Sequence, residues 1–187
     1  MKKYSNTYLL FALLLCILLG TADSYAEGIT IEYANGRMKD SFYQVDASIN
    51  YELSETVLEA LAHGIALRFD ITVEIERERK WVWDKNLSNA ILSYTLEYLP
   101  LTNSYLVINM ITGERIQLQD LNEALRVLGK IENFPVISET ELDPTQSYNC
   151  FIQSELRIRT LPLPLQPLAL ISPSWKLSSQ WYEWTIR

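Results

Sequence analysis

Period-two alternation of apolar and polar residues dominates this chain. Val45, Ala47, Ile49, Tyr51 and Leu53 alternate with Asp46, Ser48, Asn50 and Glu52. Successive strand side chains point to opposite faces, so the segment predicts a strand with one dry and one wet face. Ile29 to Tyr33 alternates as well, and Asn35-Gly36 supplies a turn signal before a second strand starting near Phe42. Ser54 is a plausible N-cap for a short helix, with Val57, Leu58, Leu61 and Ala62 as its apolar stripe and Gly64 as its stop. The clearest strand follows. Ile65, Leu67, Phe69, Ile71, Val73 and Ile75 occupy one face, and Arg68, Asp70, Thr72, Glu74 and Glu76 the other. Continued in register, the dry face would take in Arg77, Arg79, Trp81 and Trp83. A bulge or turn near Glu78 to Lys80 is therefore expected.

Ala90 to Tyr98 alternates again and stops at Pro100, with Asn103 to Ile111 as its hairpin partner. Thr112-Gly113-Glu114 turns the chain into Arg115 to Leu118. Asp120 caps a second helix, in which Leu121, Ala124, Leu125 and Leu128 repeat at helical spacing before Gly129. Asn133-Phe134-Pro135 breaks the pattern. Cys150 to Ile158 predicts a further strand, and Trp175 to Arg187 a last one, with Tyr182, Trp184 and Ile186 on one face. Between these two, Pro162, Pro164 and Pro167 cannot donate ladder hydrogen bonds, so the run belongs at an edge or in polyproline-like chain. Strands joined by turns, with two short helices, predict a mainly β (α+β) fold: an antiparallel two-sheet sandwich-like domain. One curved sheet with both helices on its concave face is the second choice.

The first residues change the picture. Lys2 and Lys3 precede an uncharged apolar run from Tyr8 to Gly20, and Ser24-Tyr25-Ala26 places small residues where a signal peptidase reads. This is the pattern of a cleavable secretory leader over residues 1–26. The apolar run is shorter than the ~20 residues of a spanning helix. The expectation is a single β-rich domain over 27–187, exported to the periplasm, with no direct membrane anchor after cleavage. The full chain carries a formal net charge of −7, and loss of a leader holding Lys2, Lys3 and Asp23 makes it one unit more negative. That balance speaks against nucleic acid, where affinity comes from neutralising phosphates. Of the two cysteines, Cys16 lies in the leader, leaving Cys150 alone in an apolar strand. A buried core thiol is expected, with no internal disulfide.

Candidate chemistry is sparse. The single histidine, His63, falls in the last turn of the first helix, where it can bond the free carbonyls. No phosphate-cradling glycine loop and no Cys/His cluster is present, so no catalytic residue, cofactor or metal site is assigned. The carboxylates at Glu74, Glu76 and Glu78 alternate along the wet face of a strand and read as a solvated surface. Two aromatic features remain. Arg77, Arg79, Trp81, Trp83 and Asp84 form a corner where guanidinium groups can stack on indoles. Trp175 and Trp181, with Trp184, follow the proline run, and each serves a core or an interface. Arg77, Arg79, Trp81, Trp83, Asp84, Trp175 and Trp181 are the candidate interaction surface.

The stretch His63-Gly64-Ile65-Ala66-Leu67-Arg68-Phe69 is followed by the Arg/Trp corner with Asp84 and the tyrosine-rich strand Tyr94 to Tyr98. The helix Leu121 to Gly129 comes next, then Leu161-Pro162, leading to Trp175-Lys176-Leu177-Ser178-Ser179-Gln180-Trp181. In this order the motifs resemble the proteobacterial domain of unknown function numbered 4390, over nearly all of the chain after the leader. Members of that family often have adjacent tryptophans after the arginines, where this chain has Trp81-Val82-Trp83. The resemblance implies an exported protein of Gram-negative bacteria, with no activity to carry over. It also implies genes lying beside a membrane sensor kinase of the nitrogen-regulation type. The expected function is a non-catalytic interaction module whose partner is an envelope protein such as a sensor kinase. The alternatives are a carrier of a small apolar or lipidic ligand held between sheet and helices, and a carboxylate-based hydrolase.

Overall fold

The computed structural model describes residues 28–77 and 85–186. Two antiparallel sheets face each other. The smaller has the order β1-β2-β7, with β1 Gly28–Lys39, β2 Phe42–Glu52 and β7 Lys130–Ser138. The larger has the order β6-β5-β4-β3-β8-β9. Its strands are β3 Leu67–Arg77, β4 Lys85–Leu99, β5 Ser104–Asn109, β6 Arg115–Leu118, β8 Tyr148–Leu156 and β9 Tyr182–Ile186. The expected two-sheet α+β architecture is observed.

The alternation read from the sequence is what fills the space between the sheets. Tyr43, Val45, Ala47, Ile49 and Tyr51 of β2 are buried, as are Leu67, Phe69, Ile71, Val73 and Ile75 of β3. Tyr148, Cys150, Ile152 and Leu156 of β8 complete the layer. Polar atoms that cross this interior find partners across the gap, which removes most of the cost of burying them. Tyr51 packs edge to face on Phe69 at 5.1 Å, and its hydroxyl bonds Ser154 Oγ at 2.9 Å. Trp184 Nε1 donates to the Tyr43 hydroxyl at 2.9 Å.

Helix α1 (Glu55–Ala62) starts where Ser54 Oγ accepts from the Val57 amide, and buries Val57 and Leu61. Gly64 ends it at φ 82°. Helix α2 (Leu121–Gly129) is capped by Asp120, which accepts from the Glu123 amide, and buries Ala124 and Leu128. It lies against β2, and its last residue sits tightly enough that a Cβ on Gly129 would stand 2.0 Å from the Ile49 carbonyl oxygen.

Four expectations are corrected. The Asn35-Gly36 pair does not turn the chain: β1 runs straight through it, and the turn falls at Asp40 and Ser41, both at positive φ. Gly36 is required for another reason, since a Cβ there would lie 2.3 Å from Cζ of Tyr43, whose ring covers that strand position. Asn133-Phe134-Pro135 does not break β7. The chain absorbs it as a register irregularity with Asn133 at φ 51°, and Pro135 is tolerated because β7 is an edge strand. The proline run is neither strand nor polyproline. It folds into a turn and a third helix, α3 (Gln166–Ile171), with Pro167 in the first turn, where its missing N–H costs nothing. The last strand covers only Tyr182–Ile186, because residues 173–175 form a single 3-10 turn.

Candidate functional site

The prolines and leucines after β8 build the most distinctive surface of the molecule. The chain leaves β8 at Leu156, makes a 3-10 turn at Ile158–Thr160, and returns to the sheet at Leu177–Ser179. Leu161, Ala169, Trp175 and Leu177 point inward and are buried. Gln166 holds the excursion in shape: its Nε2 donates to the carbonyls of Arg159 (3.1 Å) and Leu161 (2.7 Å). Ser54, the α1 cap, ties the far side, its Oγ donating to the Ser174 carbonyl at 2.7 Å.

Between α1 and α3 this packing leaves an open groove of about 570 Å³. Ala60 and Ile65 form one wall, Leu165, Leu168 and Ile171 the other, and Trp175 borders it from inside. Glu59 and His63 stand at the rim. His63 is committed to the helix end, as its place predicted, with Nδ1 at 2.7 Å from the Glu59 carbonyl. The volume lies in the range of small-ligand pockets, and the walls are largely apolar.

A second cluster was not legible in advance. Asp70 occupies the outward face of β3 yet is only 1 % exposed. Its Oδ1 accepts from Ser93 Oγ at 2.7 Å and Arg68 Nε at 3.3 Å, and its Oδ2 accepts from Arg157 Nε at 2.6 Å and from Arg157 Nη2. Burial works to raise the Asp70 pKa. The Ser93 hydroxyl and the Arg157 and Arg68 guanidinium groups more than offset it, so the carboxyl lies below its ordinary 3.8. With both oxygens engaged and the charge held, this carboxylate is an ion-pair hub and not a proton donor at neutral pH. The alternation placed Asp70 on a wet face; the partner that dries it, Arg157, lies in a distant part of the chain.

Of the candidate interaction residues, Arg77, Trp175 and Trp181 fall within the described residues, and Arg77 and Trp175 stand apart. Arg77 ends β3 opposite Tyr148, at one end of β8. Trp175 lies near the other end, roughly 25 Å away at about 3.3 Å per strand residue, and is buried to 5 % exposure. Trp181 is 45 % exposed just before β9, packed edge to face on Phe151 at 6.5 Å. Arg79, Trp81, Trp83 and Asp84 lie outside the described residues, as does the leader. Cys150 is buried as expected. Burial pushes its thiol up to about 12, against a hydrogen bond from Tyr43 that pulls the other way. Among the described residues, no three or more of His, Cys, Asp and Glu group as metal ligands, and no helix is long and apolar enough to cross a membrane.

The two sheets, the excursion and the groove define an α+β domain with an apolar groove between α1 and α3. The chain belongs to the domain of unknown function family DUF4390, whose model matches residues 26–185. No curated protein and no solved structure gives a match.

Proposed function

We propose that this chain is an exported, non-catalytic interaction module of the periplasm, and that it docks on an envelope protein, a membrane sensor kinase being the kind of partner expected. One observation carries the reading: an apolar groove open at the surface between α1 and α3, framed by a segment with no charged residue between Arg159 and Lys176. Such a groove suits one or two apolar side chains from a partner segment, with the surrounding exposed leucines excluding water. The leader pattern of residues 1–26 supports export, and the resemblance of the chain to exported proteins encoded beside sensor kinases supports the compartment and the partner class.

The test is a photo-crosslinking amino acid at Ile65 in the producing cell, with an equivalent probe at exposed Lys39, beside the β1–β2 turn at the end of β2 far from α1. The expected result is an envelope protein captured from Ile65, absent from Lys39, and lost when Ala60→Glu fills the groove with charge. Equal capture from both positions, or none from Ile65, overturns the reading. Intact mass of the released protein checks export, with Glu27 expected at its N-terminus.

A second reading has support in the groove's size, which would admit a small apolar ligand. Native mass spectrometry of protein taken from its own compartment distinguishes it, since a carrier retains a bound mass that Ala60→Glu abolishes.

A further inference from the structure

The outer side of the excursion presents leucines where a water-facing helix carries polar residues. Helix α3 buries Ala169 and turns Leu168, Leu170 and Ile171 outward. Leu163, between Pro162 and Pro164, is 78 % exposed, and Ile171 is 77 % exposed. A helix in contact with water shows a polar outer face; after Gln166, whose amide is turned back onto the Arg159 and Leu161 carbonyls, this one has no polar residue. Exposed large apolar side chains occur elsewhere on the molecule, but here four fall within nine positions. The two ends of the uncharged segment are marked by exposed cations, Arg159 and Lys176.

We propose that this leucine lip is a bilayer-contact surface, with Leu163, Leu168, Leu170 and Ile171 dipping into the headgroup–acyl boundary and Arg159 and Lys176 beside them at the level of the lipid phosphates. An interfacial element needs an apolar face of modest depth with basic residues at its margin, and the lip has both. Glu59 of α1 lines the groove together with Leu168 and Ile171, while Leu163 and Leu170 do not line it. The acidic remainder of the chain is repelled by anionic lipid, which orients the lip as the surface of approach.

A second copy of this chain fits less well. The patch rests on four exposed side chains, whereas a stable dimer buries about 800 Å² and roughly 20–30 residues per partner. A bilayer demands no matching shape, and the lip is held in place beforehand by the Gln166 and Ser54 hydrogen bonds, so little ordering is needed on contact. Leu168 and Ile171 also line the groove, whereas Leu163 and Leu170 do not, so the lip is tested through the latter pair. It adds to the proposed function the position of the module, at a membrane surface.

The experiment is flotation with lipid vesicles, using the protein in the form the cell releases. One set of vesicles is phosphatidylcholine alone, and the other is phosphatidylethanolamine with phosphatidylglycerol. The lip variant replaces Leu163 and Leu170 by serine, both exposed and neither lining the groove. A control replaces Met110 and Ile111, equally exposed at the β5–β6 turn, by serine. We expect partitioning of the parent protein and the control alike, and at least a tenfold loss for the lip variant with an unchanged Tm. Reversing Arg159 and Lys176 to glutamate should weaken binding severalfold on the anionic vesicles and little on phosphatidylcholine. Absence of flotation, or equal loss in lip variant and control, overturns the proposal. So does light scattering that shows a dimer which the lip variant dissociates. Crosslinking from Ile65 without any vesicle binding would overturn the lipid contact while leaving the protein partner standing, and the reverse pattern would do the opposite.

Discussion

Replacing Asp70 by asparagine keeps the shape of the β3 cluster and removes its charge. Four hydrogen bonds converge on this carboxylate, three of them from guanidinium nitrogens. The amide keeps one acceptor oxygen but turns a donor toward Arg157. Breaking a fully buried ion pair costs about 3–5 kcal/mol. Here the arginine side chains are 36 % and 38 % exposed, so water takes up part of the orphaned charge. The expected loss is therefore about 2–3 kcal/mol at neutral pH, read by urea unfolding with linear extrapolation. The pH dependence follows from the sign of the shift. The folded-state pKa of Asp70 lies below its unfolded 3.8. The cluster's contribution is thus complete above 3.8 and is lost as pH falls through the folded-state value. The gap between parent and Asp70→Asn should stay constant from neutral pH down toward that window and narrow below it. A loss under about 0.5 kcal/mol, or a gap that does not narrow in acid, would refute the account of Asp70 as a charged hub.

Three further outcomes follow from the packing. Gly129→Ala forces a methyl group against the Ile49 carbonyl, a backbone atom that cannot swing aside, so denaturant unfolding should show a loss of about 3 kcal/mol or more. Tyr51→Phe strands the buried Ser154 hydroxyl, although Ser154 still has neighbours in the sheet, and should cost about 1–2 kcal/mol in the same assay. Cys150 should react with a thiol reagent only as the protein opens, because the thiol is buried and its pKa is pushed to about 12. Labelling that is fast in native buffer and unchanged by denaturant would contradict its burial.

The sheets were readable because their signal is local. Each of β2, β3 and β8 carries its own period-two pattern, and burial of one face needs no knowledge of the partner strand. Caps were readable for the same reason: Ser54 and Asp120 bond amides three residues on. What failed was non-local. Gly36 carries the signature of a turn, but its smallness serves a ring that folds over it from Tyr43. Pro162, Pro164 and Pro167 argue against regular structure one at a time. Only the buried anchors Leu161 and Ala169 explain why a helix nonetheless forms there. Asp70 looked like its neighbours Thr72 and Glu74 because nothing in β3 announces that Arg157 will close over it. The groove had no sequence signal at all, since its two walls come from segments a hundred residues apart; Trp175, read in the sequence as serving a core or an interface, marks its inner border.

The Asp70 cluster and the leucine lip are parts of one construction. Arg157 is the first residue beyond β8, and it is fastened twice to β3: its amide donates to the Arg68 carbonyl at 2.7 Å, and its side chain pairs with Asp70. On the return, the Leu156 amide donates to the Leu177 carbonyl at 2.8 Å, and the Ser179 amide to the Ser154 carbonyl at 2.8 Å. Ser179 Oγ accepts from the Ser154 amide as well. The excursion therefore springs from the sheet with both feet clamped within a few residues of each other, one by an ion pair and one by a short ladder. A loop closed at its base has lost most of its chain entropy before it meets anything. Its inward leucine and tryptophan side chains then fix which residues face out. Burying a charged residue at an outward sheet position is costly unless the pair it makes has a use, and here the pair holds one foot of the segment that presents Leu163, Leu168, Leu170 and Ile171. Rigidity at the base and apolar exposure at the tip are what a contact surface needs, because the tip can then bind without first having to be ordered.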